Sequence, residues 1–318
     1  MRKKHVVLLI GMMTFPVFTS AFGMLDSGLA PLVRPELDMQ KVELGRLLFH
    51  EKRLSADNSI SCAHCHALDA GGVDGTVHSF GVNGAEGGIN APTVYNSGFN
   101  LAQFWDGRAA TLEDQIDGPV HNPVEMASSW PEILSKLRQD SRYQETFGQL
   151  YDDGLTADNI KNAIATFERS LVTVNSPFDR YLSGDAQAIS AEARRGYELF
   201  RDYGCISCHQ GANVGGNMFQ IFGVFGDRIH DRGNEQAVDA GRFNVTGDPS
   251  DRYKFKVPSL RVVTLTAPYF HDGSVAQLDD AIRIMGRYQL GRDIPDEDIH
   301  DLIAFLESLV GELAGGHE

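Results

Sequence analysis

The sequence predicts a mainly α-helical protein made of two similar domains with long covering loops. Three observations predict this fold. Apolar residues recur at helical spacing in six segments, the second half of the 318-residue chain repeats motifs of the first half, and two long segments rich in Gly and Asn show no helical period. The length itself is enough for about two domains.

The first 21 residues have the pattern of an export signal. Arg2, Lys3 and Lys4 form a basic start, residues 6–17 are apolar and uncharged, and residues 19–21 form a small-residue cleavage site. The apolar run is too short to cross a bilayer comfortably. We therefore expect a mature chain that starts near Phe22, has no stable membrane span and resides in a bacterial periplasm. An uncleaved anchor is the alternative.

The composition narrows the class of protein. Hydrophobic residues make up 42% and charged residues 22% of the chain, which is ordinary for a soluble globular protein. The formal net charge is −15, or −18 without residues 1–21. This charge counts against nucleic acid as a partner, since nucleic-acid binders usually carry a basic surface. An acidic exterior suits a basic or dipolar protein partner, although solubility alone also explains it.

The apolar spacing predicts the elements in chain order. Amphipathic helices are expected over residues 42–49, 133–150, 159–172, 191–200, 278–285 and 298–309. Pro131 near a helix start, and Thr156 and Ser190 as N-caps, support three of them. Residues 70–100 and 211–256 are expected to be long loops with room for a short hairpin, and residues 175–184 to be the interdomain linker. The predicted domains are residues 22–183 and 184–318.

The four cysteines form two identical motifs. Cys62 and Cys65 precede His66, and Cys205 and Cys208 precede His209, so that both segments read C-x-x-C-H, the attachment motif for c-type haem. Each cysteine pair would form thioethers to one haem, and the adjacent histidine would bind its iron. A zinc site would need four ligands brought together, and the motifs lie 143 residues apart. The sequence therefore predicts two covalent haem c groups and no disulfide.

The two halves repeat one another at a fixed offset. Phe104-Trp105-Asp106-Gly107 corresponds to Phe270-His271-Asp272-Gly273, 166 residues later, and Leu, Asp and Ile residues that follow keep the same offset. A Gly-x-x-x-Phe segment precedes each C-x-x-C-H motif. We interpret this pattern as the duplication of a one-haem cytochrome c domain.

The repeat also shows where the two halves differ. Met285 lies 76 residues after His209, in a register suited to the second axial ligand of that haem, and Met218 is a weaker rival. The residue equivalent to Met285 in the first half is Pro119, which cannot bind iron. One closed haem and one open haem suggest a division between electron entry and chemistry.

Two polar residues near Pro119 suggest what that chemistry is. A carboxylate such as Glu125 above an open haem can take a proton from hydrogen peroxide and return it to the departing oxygen. An amide such as Gln115 can orient the peroxide and stabilise developing charge. Either residue taken alone would more often be an ordinary surface group.

These motifs match a known family over residues 35–310. The chain resembles the bacterial di-haem cytochrome c peroxidases, which are related to the maturation enzyme of methylamine dehydrogenase. The resemblance is carried by Gly-Arg-Leu-Leu-Phe at 45–49, both C-x-x-C-H motifs, Pro-Thr-Val-Tyr-Asn at 92–96, Gln-Phe-Trp-Asp-Gly-Arg-Ala at 103–109, Gly-Pro-Val at 118–120, Glu125-Met126, Thr-Ala-Pro-Tyr-Phe-His-Asp-Gly at 266–273, and Met285.

The resemblance implies a role for each haem. The haem at His66 would be the peroxidatic, low-potential one, with Gln115 and Glu125 as its distal catalytic pair. The haem at His209 and Met285 would be the high-potential, electron-transfer haem. Electrons would come from a small cytochrome c or a cupredoxin and reduce hydrogen peroxide. Family members tend to form homodimers.

The resemblance also implies two features between the domains. Trp105 matches the tryptophan that lies between the haems. Asn90, with the backbone carbonyls of Thr266 and Pro268, matches a calcium site that links the two halves. Calcium prefers oxygen ligands of this kind.

One position departs from the family's pattern. In many members a histidine sixteen residues after the proximal one closes the peroxidatic haem until the other haem is reduced. Sixteen residues after His66 is Val82, and His78 would serve only in a different loop register. The expected peroxidatic haem is therefore not closed by histidine, and the need for reductive activation is left open.

Two alternative functions remain at this point. The maturation enzyme has a tyrosine where Met285 stands, which argues against that oxidative chemistry, although Tyr288 is close by. A non-enzymatic di-haem electron carrier would have two six-coordinate haems and no special role for Gln115 or Glu125. A peroxidase is the expected function.

Overall fold

The structure is a computed structural model that describes residues 28–313. These residues contain twelve α-helices and one two-stranded sheet. The predicted export signal, 1–21, lies outside this range. The helices are α1 (Met39–Phe49), α2 (Cys62–Cys65), α3 (Leu112–His121), α4 (Trp130–Leu137), α5 (Ser141–Leu150), α6 (Ala157–Ser170), α7 (Pro177–Leu182), α8 (Ala191–Asp202), α9 (Arg228–Arg232), α10 (Phe243–Thr246), α11 (Leu278–Gln289) and α12 (Asp296–Ser308). The mainly helical prediction is confirmed.

The sheet pairs β1 (Phe219–Ile221) with β2 (Lys254–Lys256) in antiparallel register. Phe219 faces Lys256 and Ile221 faces Lys254. The segment between these strands is long and holds α9 and α10, so the expected hairpin exists as a strand pair without a tight turn. Within residues 28–313, no helix has both the length and the apolar character that a membrane span requires.

The same helix pairing occurs in both halves. In the first half α1 packs on α6, and a Cβ added at Gly45 would lie 2.0 Å from the carbonyl oxygen of Ala163. In the second half α8 packs on α12, and a Cβ at Gly196 would lie 1.9 Å from the carbonyl oxygen of Asp301. In each half, a glycine in the helix that precedes the C-x-x-C-H motif permits this close approach to the second helix. The shared geometry supports the duplication.

We expect Gly196→Ala to destabilise the protein by about 1–3 kcal/mol, the usual cost of overpacking. The reason is that the new methyl group would meet backbone, which cannot move aside as a flexible side chain can. Gly148→Ala, at an exposed position of α5, is the matched control, because a Cβ there meets nothing within 4 Å. This control should be neutral or stabilising, since Ala favours helix over Gly. A thermal midpoint of Gly196→Ala equal to that of the control would contradict the expectation.

Several predicted elements differ in detail. The helix expected over 133–150 is divided, because Asp140 caps the start of α5 by accepting a hydrogen bond from the Arg142 backbone N–H. The linker expected over 175–184 contains α7, whose Phe178 is fully buried. Helix α3, which contains Pro119, was not predicted from the apolar spacing. Thr156 and Ser190 are N-caps as predicted.

Each half has its own hydrophobic core, and each core also includes residues from the other half. The first core includes Val262, and the second includes Leu29. Phe178 also belongs to the second core, so the packing passes from one half to the other before the predicted boundary at 183 and 184. At this junction Arg261 is fully buried and pairs with Asp179 at 2.7 Å.

Candidate haem sites and active site

A cavity of about 600 Å³ lies between the two halves and is lined mostly by residues of the second half. Cys205, Cys208 and His209 line it together with Met285. The loop after α8 supplies the motif, and α11 supplies the methionine. These residues fit a covalent haem, because two thioether-forming cysteines, an imidazole and a thioether sulfur face one largely apolar space.

Two rivals of Met285 are not among the residues that line this cavity. Met218, just before β1, lies outside it. The hydroxyl of Tyr288 donates a hydrogen bond to a carboxylate oxygen of Asp231 at 3.1 Å, on the exposed side of α11. Met285 therefore shares a cavity with His209, whereas Met218 and Tyr288 do not line it.

His209 is half-buried, and burial lowers its pKa to about 4. Desolvation disfavours the charged imidazolium, so the ring is neutral at physiological pH. The neutral imidazole is the form that binds metals.

The first attachment motif has the same local geometry. In both motifs the backbone N–H of the histidine donates to the backbone carbonyl of the first cysteine at 3.0 Å, from His66 to Cys62 and from His209 to Cys205. The Nδ1 atom of His66 lies 3.2 Å from the Gly72 carbonyl oxygen. Burial lowers the pKa of His66. The Gly72 contact fixes the ring and leaves Nε2 available, which is how a proximal ligand is oriented.

The helices α3 and α11 are the repeat equivalents that differ in their ligand. They begin at Leu112 and Leu278, 166 residues apart, which is the offset of the sequence repeat. Thr111 caps α3 by accepting from the Asp114 backbone N–H. Pro119 stands in α3 where Met285 stands in α11. The sequence repeat was the signal that could have predicted α3, since its partner helix was predicted.

Glu125 lies in the turn that follows α3. The Met126 N–H donates to the Pro119 carbonyl at 3.1 Å, so this turn folds back on the helix end. The Glu125 carboxyl is half-buried and accepts a hydrogen bond from Asn122 Nδ2 at 2.6 Å. Burial raises its pKa, an effect that Asn122 and the charge of Arg108 only partly offset. Gln115 lies on α3 one turn before Pro119 and is also half-buried.

Glu125 is close to the first attachment motif. Burial raises the pKa of the Cys65 thiol to about 11, and the carboxylates of Asp74 and Glu125 raise it further while Ser79 lowers it. A carboxyl with a raised pKa beside a haem attachment site is suited to proton transfer.

The loop that carries Val82 packs against Glu125. The Val82 N–H donates to the Glu125 carbonyl at 2.8 Å, and the Val82 side chain is 3% exposed within the first core. His78 is paired elsewhere, since its Nδ1 lies 3.1 Å from Glu86 Oε1. The structure therefore places an apolar residue at position 82 and directs His78 to a surface carboxylate.

Trp105 and His271, which are repeat equivalents, meet at the junction of the two halves. Their rings make an edge-to-face contact with centroids 6.4 Å apart. The indole N–H of Trp105 donates to the Asn90 carbonyl at 2.9 Å. Nε2 of His271 lies 2.7 Å from Asp239, which in turn pairs with Arg232 at 2.6 Å. Asp239 and Arg232 were not predicted from the sequence, because they lie in a segment without a motif or a regular period.

The three residues of the expected calcium site line the same cavity as Trp105. Asn90, Thr266 and Pro268 all contribute to its wall. Asn90 is 7% exposed, and its Nδ2 donates to the Thr76 carbonyl at 2.9 Å. This bond orients the side chain and leaves the amide oxygen available.

The fold and the two attachment motifs define a c-type cytochrome with two haem sites. A family model described as di-haem cytochrome c peroxidase matches residues 39–187. The chain is 54% identical over 275 residues to the cytochrome c peroxidase Ccp of Escherichia coli K12, covering 86% of this chain and 59% of that protein. It is 45% identical over 281 residues to the cytochrome c551 peroxidase of Nitrosomonas europaea, covering 88% of this chain and 82% of that protein.

Structural similarity leads to the same family. The crystal structure of a MauG-like protein associated with microbial copper homeostasis matches with a TM-score of 0.78 and 31% identity, over 89% of this chain and 93% of the other. The chain belongs to the di-haem cytochrome c peroxidase family. The predicted family is confirmed, and the names of the relatives agree with the predicted peroxidase activity. The chain spans 59% of the length of the Escherichia coli relative.

Proposed function

We propose that the protein reduces hydrogen peroxide to water in the periplasm with electrons from a small c-type cytochrome or cupredoxin. One peroxide, two electrons and two protons give two waters. The electrons enter at the site of His209 and Met285 and pass to the site of His66. The difference between the equivalent helices carries this proposal, since Met285 of α11 lines its cavity whereas α3 has Pro119, which offers no ligand atom.

Glu125 is the proton carrier in this proposal. A haem at His66 would supply the redox-active iron at which the O–O bond is cleaved. Asn122 holds one oxygen of the Glu125 carboxyl, which leaves the other oxygen for the proton of the peroxide. Its raised pKa lets the carboxyl return that proton to the leaving oxygen. Gln115 donates an amide hydrogen bond that stabilises the developing charge.

Trp105 connects the two sites. It lines the cavity that holds His209 and Met285, its ring contacts His271, and its N–H donates to the Asn90 carbonyl. These contacts hold the indole at the junction of the halves. We infer that Trp105 lies between the haems and couples electron transfer from the second to the first.

Calcium at Asn90, Thr266 and Pro268 would link the same two halves. The support is that all three residues line one cavity and that the Asn90 side-chain oxygen is available. A hard cation with amide and carbonyl oxygen ligands fits this set. The Asn90 carbonyl also accepts the Trp105 hydrogen bond, so calcium would hold the Trp105 segment in place.

The net charge of the chain supports the proposed kind of donor. A chain with a net charge of −15 attracts a donor that presents a basic or strongly dipolar face. The periplasmic location rests on the export signal predicted over residues 1–21 and on the two haem attachment motifs.

The test of the proposed function combines intact mass with turnover. We expect a protein mass that corresponds to the chain plus two covalent haems, because all four cysteines lie in attachment motifs. This di-haem protein should consume hydrogen peroxide and oxidise two equivalents of reduced cytochrome c per peroxide. A di-haem protein that exchanges electrons with the donor but leaves peroxide untouched would be a carrier, and the proposal would be wrong.

A further inference from the structure

Lys256 is a buried cation that lacks an anionic partner in residues 28–313. It ends β2 and is 7% exposed, and its backbone N–H donates to the Trp105 carbonyl at 2.8 Å. Lys256 lines the same cavity as His209 and Met285. Among the described residues, no carboxylate oxygen lies within 4.0 Å of its Nζ atom, and no Asp or Glu lines the cavity.

A buried ammonium group without a partner is unfavourable, because it loses its hydration and gains no opposite charge. Burial lowers the pKa of Lys256 to about 8, so most of it is still charged at neutral pH. The other deeply buried cation behaves differently, since Arg261 pairs with Asp179 at 2.7 Å. Arg292 also lines the cavity, but it is exposed and can remain hydrated. Lys256 thus points to an anion that occupies the cavity.

We propose that Lys256 binds a propionate carboxylate of the haem attached at Cys205 and Cys208. This inference rests on the second haem of the proposed function but not on peroxide chemistry. The cavity that holds the attachment residues supplies no acid of its own, and haem brings carboxylates into it. The ammonium group then fixes the haem edge next to the Trp105 backbone. Its positive charge favours the reduced, more negative state of that haem and so raises its reduction potential.

The test is a redox titration of the di-haem protein. In Lys256→Met, loss of the cation should shift the ferrous-to-ferric ratio of the second haem about tenfold toward ferric at a given potential. This is the order expected for one charge acting over roughly 10 Å at an effective dielectric constant near 20. A tenfold shift corresponds to about 59 mV for a one-electron couple. Lys256→Arg keeps the charge and should keep most of the wild-type potential.

Lys254→Met is the matched control. Lys254 lies two residues earlier on β2, is half-buried, and already pairs with Asp251 at 3.0 Å. Its substitution should leave the couple unchanged. A Lys256→Met protein that carries two haems by mass and keeps the wild-type potential would overturn the proposal, and so would an equal shift in Lys254→Met.

Should Lys256→Met fail to retain the second haem, the Arg variant decides. A di-haem Lys256→Arg protein with a near-wild-type potential supports an anchoring cation. A Lys256→Arg protein that also loses the haem contradicts the proposal. So does a Lys256→Arg protein whose reduction potential falls by about 59 mV, the equivalent of a tenfold shift. Peroxide turnover does not enter these readings, so failure of the proposed function is distinguished from failure of this inference.

Discussion

Glu125→Gln should reduce peroxide turnover by about 10²-fold or more while both haems stay attached. The size is that of a lost general acid–base group. Gln keeps the shape of the side chain and the contact with Asn122, which is 2.6 Å in the native protein, but it cannot take a proton from peroxide. The measurement is the steady-state rate of peroxide consumption with a reduced cytochrome c as donor, normalised to haem content.

The pH dependence of peroxide turnover gives a second test of Glu125→Gln. Burial holds the pKa of Glu125 above its ordinary value of 4.5. Because the deprotonated form must accept the first proton, activity in the native enzyme should fall as the pH drops through this raised pKa. The Gln variant should lose this acidic limb, since it has no group that titrates there.

Glu132→Gln is the matched control for Glu125. Glu132 lies on α4 and pairs with Lys136 at 2.7 Å, with its side chain 39% exposed. The same loss of a carboxylate should leave turnover close to normal. Near-normal turnover in Glu125→Gln would instead assign Glu125 a structural role.

Met285→His should lower the potential of the second haem by on the order of 0.1–0.3 V, a share of the roughly 0.8 V range that axial ligands control. Thioether ligation favours ferrous iron, whereas a second imidazole favours ferric iron. The haem should stay six-coordinate, because His also offers a ligand atom. Redox titration followed by absorption spectroscopy measures both properties.

Met218→His is the comparison for Met285. Met218 is the other methionine considered as a ligand, but it does not line the cavity that holds His209. Its substitution should leave the high-potential couple unchanged. A shift in Met218→His together with an unchanged couple in Met285→His would exchange the roles of the two methionines.

The parts of the site that could be predicted from the sequence are those that depend on local spacing. The C-x-x-C-H motifs fix the attachment residues, because four successive positions and one histidine are enough to place them. The repeat offset of 166 relates Met285 to Pro119, and the structure shows equivalent helices at these positions. Met285 lines the cavity and Glu125 is half-buried, and the roles proposed for them remain predictions.

The parts that could not be predicted depend on tertiary packing. Lys256 reads as an ordinary charged residue in a polar segment, and only the fold reveals that it is buried against a cavity without acids. The contact of Asp239 with His271 joins positions 32 residues apart in a region without regular spacing. The helix α7 was expected to be a linker, since its six residues are too few to show a period, and Phe178 is fixed by the core it enters.

We propose that neither position 82 nor His78 provides a second ligand to a haem bound at His66. Position 82 holds a buried valine, and His78 is paired with Glu86. Any remaining control of access would come from the position of the loop that carries Val82.

The most direct test is the spin state of the fully oxidised, as-isolated protein, followed by stopped-flow mixing with peroxide. We expect a high-spin ferric population for one of the two haems, and peroxide consumption that is equally fast in the fully oxidised and half-reduced enzymes. If the oxidised enzyme shows a high-spin signal but does not consume peroxide, the site is open and the electron from the second haem is needed for the chemistry. If the oxidised enzyme shows a bis-histidine low-spin signal and does not consume peroxide, the open-site proposal is wrong and His78 is the expected ligand.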